Sequence, residues 1–148
     1  MLIVLVNSKE QQKASSINGL LNLRSNHMVS FRYSTRLVLV LNNIVIKFPL
    51  SKRGYLQGIN EQRIWDKYKN IAPLAELKWM WMGVVCQKRY ATVDTIPKYK
   101  VDNIKQTIPE LNFHNCDLHN FENWGSENGK YILLDYGNNP YIASLYKK

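Results

Sequence analysis

Residues 36–49 read RLVLVLNNIVIKFP, two short apolar and β-branched runs on either side of Asn42-Asn43. Each run is too short for a stable helix and rich in residues that pack well on a pleated surface, so both read as strands. Asparagine tolerates the positive φ angles that tight hairpin turns use, which predicts a turn at Asn42-Asn43. The second run carries one charge, Lys47, in an otherwise apolar strand. Burying that ammonium alone would be costly, so it must reach solvent or meet a carboxylate.

Outward from this hairpin the pattern changes. Residues 58–70 (GINEQRIWDKYKN) place Ile64, Trp65 and Tyr68 toward one side among good helix formers, with Pro73 closing the segment, and predict one helix that carries Glu61. Leu77, Trp79 and Trp81 alternate with Lys78 and Met80, and an extended pattern resumes from Val84 after Gly83, predicting a second antiparallel pair. Its two tryptophans read as core or hinge packing. A basic stretch from Lys98 to Thr107 is compatible with a helix before Pro109. Residues 112–125 are polar and turn-rich. After Asn128-Gly129, the apolar KYILLDYG reads as a short buried strand ending on Asp135 and Gly137.

The chain has 148 residues, 45% hydrophobic and 21% charged, which is enough for one core and far from the composition of disordered chains. No repeat or flexible linker divides it, so it reads as one domain. Its opening MLIVLV is a leading strand in this reading: too short for a membrane span and without the basic flank of a secretory signal. Residues 8–19 form a polar connector. Cys86 and Cys116 are too few for a disulfide framework, so a reducing compartment, the cytoplasm, is expected. The net charge of +9 predicts affinity for anions. Seventeen of the 20 Lys and Arg residues lie in the first 105 positions, whereas the remainder is net acidic.

Four pieces now fall in a particular order: Lys47 in a strand, Glu61 on the following helix, Asp117-Leu118-His119 with Asn123 in a loop, and Leu134-Asp135-Tyr136-Gly137 after a strand. This order resembles the protein-kinase-like superfamily, above all its small-molecule-kinase branch and small phage-encoded relatives whose catalytic loop reads Asp-Leu-His. The resemblance spans roughly residues 30–140. It implies an α+β, protein-kinase-like fold with an antiparallel N-lobe sheet, one packed helix and a strongly truncated C-lobe. Within it, residues 1–28 would be an extension, 29–92 the sheet and helix, and 93–148 a reduced lobe holding the catalytic-loop hairpin.

The implied chemistry is transfer of a phosphoryl group from ATP with Mg²⁺. Lys47 would reach phosphate oxygens with Glu61 holding it, Asp117 would orient the proton of an acceptor hydroxyl, and Asp135 with Asn123 would hold the metal. The pattern departs from the family in three respects. The position five residues after Asp117 is Glu122, so either the loop bulges to bring Asn123 to the metal or Glu122 faces it. Between Ile17 and Leu41 the only glycine is Gly19, so no glycine-rich phosphate loop is visible. The chain also runs out soon after Gly137, which implies that a protein partner or a second copy completes the short lobe. A catalytically inactive pseudokinase serving as an interaction module is therefore the alternative.

Three rival readings remain. His114, Cys116 and His119, with Cys86, offer zinc ligands in a spacing that matches no zinc template, and Cys116 beside His114 lacks the partners of a nucleophilic thiol. Lys52, Arg53, Arg63, Lys67, Lys69, Lys88, Arg89, Lys98 and Lys100 alternate with Tyr55, Trp65, Tyr68, Tyr90 and Tyr99 as a nonspecific nucleic-acid surface would, without any recognition motif.

Overall fold

A computed structural model describes residues 30–113 and 116–145. The leading strand, the connector at 8–19, the extension at 1–28 and His114 lie outside the described residues. The chain is α+β. Five strands form an antiparallel sheet in the order β1-β2-β3-β5-β4: β1 Ser30–Tyr33, β2 Arg36–Val40, β3 Ile44–Pro49, β4 Leu77–Trp81 and β5 Val84–Lys88. Helix α1, Lys52–Tyr68, packs on one face of it. A second sheet, β6-β7-β8, is built from Ala91–Thr92, Trp124–Glu127 and Lys130–Leu133. Among the described residues there are two further helices, α2 Lys98–Thr107 and α3 Pro140–Ser144. No helix among the described residues is long and apolar enough to cross a membrane.

The β2–β3 hairpin forms where expected, with Val38 opposite Lys47 and Val40 opposite Val45. Its turn does not use the left-handed backbone, however: among the described residues only Met82 and Asn128, apart from glycines, have positive φ. Those two residues precede Gly83 and Gly129, and each pair forms a two-residue turn of left-handed residues, the type whose twist matches antiparallel strands. Ahead of the first run, Ser34 and Thr35 make a turn, so β1 folds back on β2 with Tyr33 opposite Leu37.

Helix α1 starts six residues earlier than its apolar spacing suggests, at Lys52, because the Ser51 hydroxyl caps the backbone N–H of Gly54. Gly54 and Gly58 weaken the helical signal, and both are there for contact. A β-carbon on Gly54 would lie 2.2 Å from the Thr35 carbonyl oxygen, and one on Gly58 would lie 2.2 Å from that of Gly83. The helix thus lies directly against the β1–β2 and β4–β5 turns.

The core sits between the C-terminal half of α1, α2 and the small sheet, built from Ile64, Val101, Ile104, Leu118, Trp124, Leu133 and Tyr136 among others. The Trp79/Trp81 pair is not part of it: they are 47% and 69% exposed. Trp79 lies opposite Cys86, next to the residue that faces Lys47, so strand alternation turns it to the sheet face away from α1.

Glu110 joins α1 to the lower half of the molecule, accepting hydrogen bonds from Lys67 at 2.7 Å and from the Tyr68 hydroxyl. Partial burial alone would raise its pKa, but these donors outweigh that and lower it from 4.5 to about 2. The stability this carboxylate supplies is therefore complete above its unfolded pKa of 4.5 and lost as pH falls toward 2. Glu110→Gln should cost on the order of 1 kcal/mol at pH 7 after solvent screening, and the deficit should vanish in urea titrations near pH 2. A deficit that stays constant with pH would contradict the assignment.

Candidate functional site

Strand alternation puts Arg36, Val38 and Lys47 on the sheet face that α1 covers. Lys47 is 5% exposed and its ammonium donates to Glu61 Oε1 at 2.9 Å and to the Leu134 carbonyl at 2.8 Å. One side chain therefore ties β3, α1 and the Leu134-Asp135-Tyr136-Gly137 segment together. Arg36 closes the set. Its Nη1 donates to Glu61 Oε1 and its Nη2 to Asp135 Oδ1, each at 3.0 Å. Glu61 is fully buried, while the Asp135 side chain retains 40% exposure. The result is a quartet of two cations and two carboxylates, balanced within itself.

The electrostatics follow from this geometry. Burial would raise the pKa of Asp135, but the charges of Arg36 and then Lys47 outweigh it and hold the carboxyl well below the usual carboxylate range. Burial likewise disfavours the Arg36 guanidinium, and the charges of Glu61 and Asp135 more than reverse that. Both shifts favour the ionised forms. Glu61 Oε2 has no hydrogen-bond partner among the described residues, nor does Gln87 Nε2.

The turn after Asp135 fits against α1 without a gap. Asn60 donates to the carbonyls of Gly137 and Asn138 at 3.1 and 3.2 Å, and a β-carbon on Gly137 would lie 2.6 Å from the Gln57 carbonyl oxygen. Tyr136 is buried, its hydroxyl donating to the Ala75 carbonyl at 2.8 Å.

The loop residues are linked to this centre through Asn123. Its amide donates to the Asp117 carbonyl at 2.8 Å, and its own carbonyl accepts from the Leu134 N–H at 2.8 Å. Asn123 thus holds the Asp117 segment beside the strand that leads to Asp135. The Asp117 side chain is exposed. Glu122 is also exposed, in a short 3₁₀ turn whose N–H at Glu122 is capped by Asn120. Cys116 stands near both aspartates: burial first, then the Asp135 charge, pushes its thiol up to about 12, so it is not a ready nucleophile at neutral pH. His119 is exposed, with its ring 3.4 Å from the Lys105 ammonium.

Asp135 and Glu61 already share a guanidinium, and among the described residues no group of three or more His, Cys, Asp or Glu side chains is placed to hold a metal ion. The zinc reading of His114, Cys116 and His119 rests in part on His114, which lies outside the described residues. The basic surface is partly neutralised as well, since Arg63 and Lys67 pair with Glu110 and Lys88 with Glu127. Of its aromatics, Tyr68 is buried, and the Tyr90 hydroxyl accepts the N–H of Glu76.

The spacing of Lys47 and Glu61 is legible in the sequence, whereas Arg36 is not singled out there. Its signal is parity: it lies two residues before Val38, which faces Lys47, so the register that centres the turn on Asn42-Asn43 places both cations on one face. Comparison with protein-family models, with characterised proteins and with solved structures gives no match.

Proposed function

We propose that this chain is a kinase-like nucleotide-binding protein whose phosphate site is built on Lys47 and Glu61. The observation that carries the reading is the double bond of Lys47, to Glu61 and to the carbonyl that precedes Asp135. It joins three pieces that are remote in sequence and that a kinase-like site requires together. The order of elements supports it too. The lysine lies on β3, the glutamate on the helix that follows, the Asp117–Asn123 loop before the β7–β8 hairpin and Asp135 after it. On this reading the five-stranded sheet with α1 is the N-lobe and residues 93–148 are a reduced C-lobe. A nucleoside triphosphate such as ATP is the ligand, and Asp117 is the candidate to orient an acceptor hydroxyl.

A second reading, an inactive pseudokinase serving as an interaction module, is favoured by two observations. The turn before β2 is the short, glycine-free Ser34-Thr35, which offers no backbone cradle for phosphates, and Arg36 holds the carboxylate that a metal would need. Both readings share the nucleotide site and differ in turnover.

The test is a pair of calorimetric titrations with ATP at matched fractional folding. Lys47→Met fills a similar volume and leaves Glu61 paired with Arg36, so the protein should stay folded while affinity falls roughly tenfold or more. Equal affinities for the two proteins would remove Lys47 from the site. Binding that tracks oligonucleotide length and collapses with salt would favour the nucleic-acid reading instead.

A further inference from the structure

We infer that Arg36 is the resident cation of this site, standing where a kinase-like centre would otherwise hold a divalent metal, so that the protein takes its phosphate ligand without one. The inference rests on the nucleotide reading for its meaning, though not for its test. Three features of the structure support it.

The first is geometry. A single planar guanidinium reaches two carboxylates from different elements, Glu61 on α1 and Asp135 after β8, through separate nitrogens at 3.0 Å each. A metal at Asp135 would sit on a carboxylate already paired with a charge that cannot be neutralised by deprotonation.

The second is charge. With Lys47 on Glu61, the four groups sum to zero, and a dication added beside a fixed guanidinium would meet repulsion in a place where Arg36 and Glu61 are 5% and 0% exposed.

The third is anchorage. The residue before Arg36 is pinned to the start of α1. The Thr35 hydroxyl donates to Gln57 Oε1 at 2.8 Å, the Thr35 carbonyl accepts from the Leu50 N–H at 3.0 Å, and Gly54 leaves no room between that carbonyl and the helix. Arg36 therefore does not swing out as a surface arginine would. Moving it means opening the β1–β2 turn from α1.

The probe is Mn²⁺ alone, titrated into the full chain and followed by the loss of the free-ion electron paramagnetic resonance signal. Wild-type protein should show no site that Asp135→Asn removes. Arg36→Met, which withdraws the charge and keeps much of the bulk, should create one Mn²⁺ site at least about tenfold tighter than any background binding, and Arg36→Met with Asp135→Asn should lose it. A wild-type Mn²⁺ site abolished by Asp135→Asn would overturn the inference. So would a folded Arg36→Met protein that binds no metal. Should Arg36→Met fail to fold, the wild-type titration still decides, with and without Asp135→Asn. Because no nucleotide is present, failure of ATP binding would sink the nucleotide reading and leave this result standing.

Discussion

Glu61→Ala is expected to lower the unfolding free energy by about 3–5 kcal/mol, since removing one member of a buried ion network leaves its partners desolvated and unpaired. Glu61 is the member on which both cations converge, and it has no exposure. After truncation Lys47 keeps only the Leu134 carbonyl, and Arg36 keeps only Asp135. Glu61→Gln retains the oxygen that both donors share and should lose clearly less. Urea denaturation at pH 7 measures both. A Glu61→Ala protein within about 1 kcal/mol of wild type would mean that the quartet is solvated and contributes little.

Gly58→Ala should cost at least about 3 kcal/mol, at the upper end for overpacking, although alanine is the better helix former by about 1 kcal/mol. Propensity loses here because the new methyl would stand 2.2 Å from the Gly83 carbonyl oxygen, and the obstacle is backbone. That turn cannot retreat cheaply, as Met82 and Gly83 already occupy left-handed conformations and the Tyr55 ring lies against Gly83. Gly129→Ala is the control. It has a φ of +75° but nothing within 4 Å, so it should cost only the left-handed penalty of about 1–2 kcal/mol. Thermal unfolding of the two variants side by side makes the comparison, and equal losses would show that α1 does not press on the β4–β5 turn.

These two substitutions mark where sequence patterning was informative and where it was not. Residues 36–49 announce their hairpin because short apolar, β-branched runs around a polar pair have few other uses, and Asn128-Gly129 announces the β7–β8 turn for the same reason. The Lys47–Glu61 pair was legible because a lone charge in an apolar strand demands a partner. The start of α1 was hidden by Gly54 and Gly58, whose role is close approach to residues far away in sequence, which no local propensity encodes. Arg36 was hidden because an arginine at a strand end usually faces water. Its burial depends on the Ser34-Thr35 turn and on Asp135, 99 positions away. The exposure of Trp79 and Trp81 follows from which sheet face α1 covers, a tertiary choice that alternation alone leaves open.

The central claim is that Lys47, Glu61 and the Leu134–Gly137 segment form one phosphate-binding centre. Titrating ATP into ¹⁵N-labelled protein and following amide shifts tests this most directly. The account predicts saturable shifts concentrated on residues 44–47, 60–62 and 133–137, unchanged by a chelator of divalent cations. An absence of shifts at millimolar ATP, or shifts confined to the exposed basic face of α2 around Lys98 and Tyr99, would contradict it.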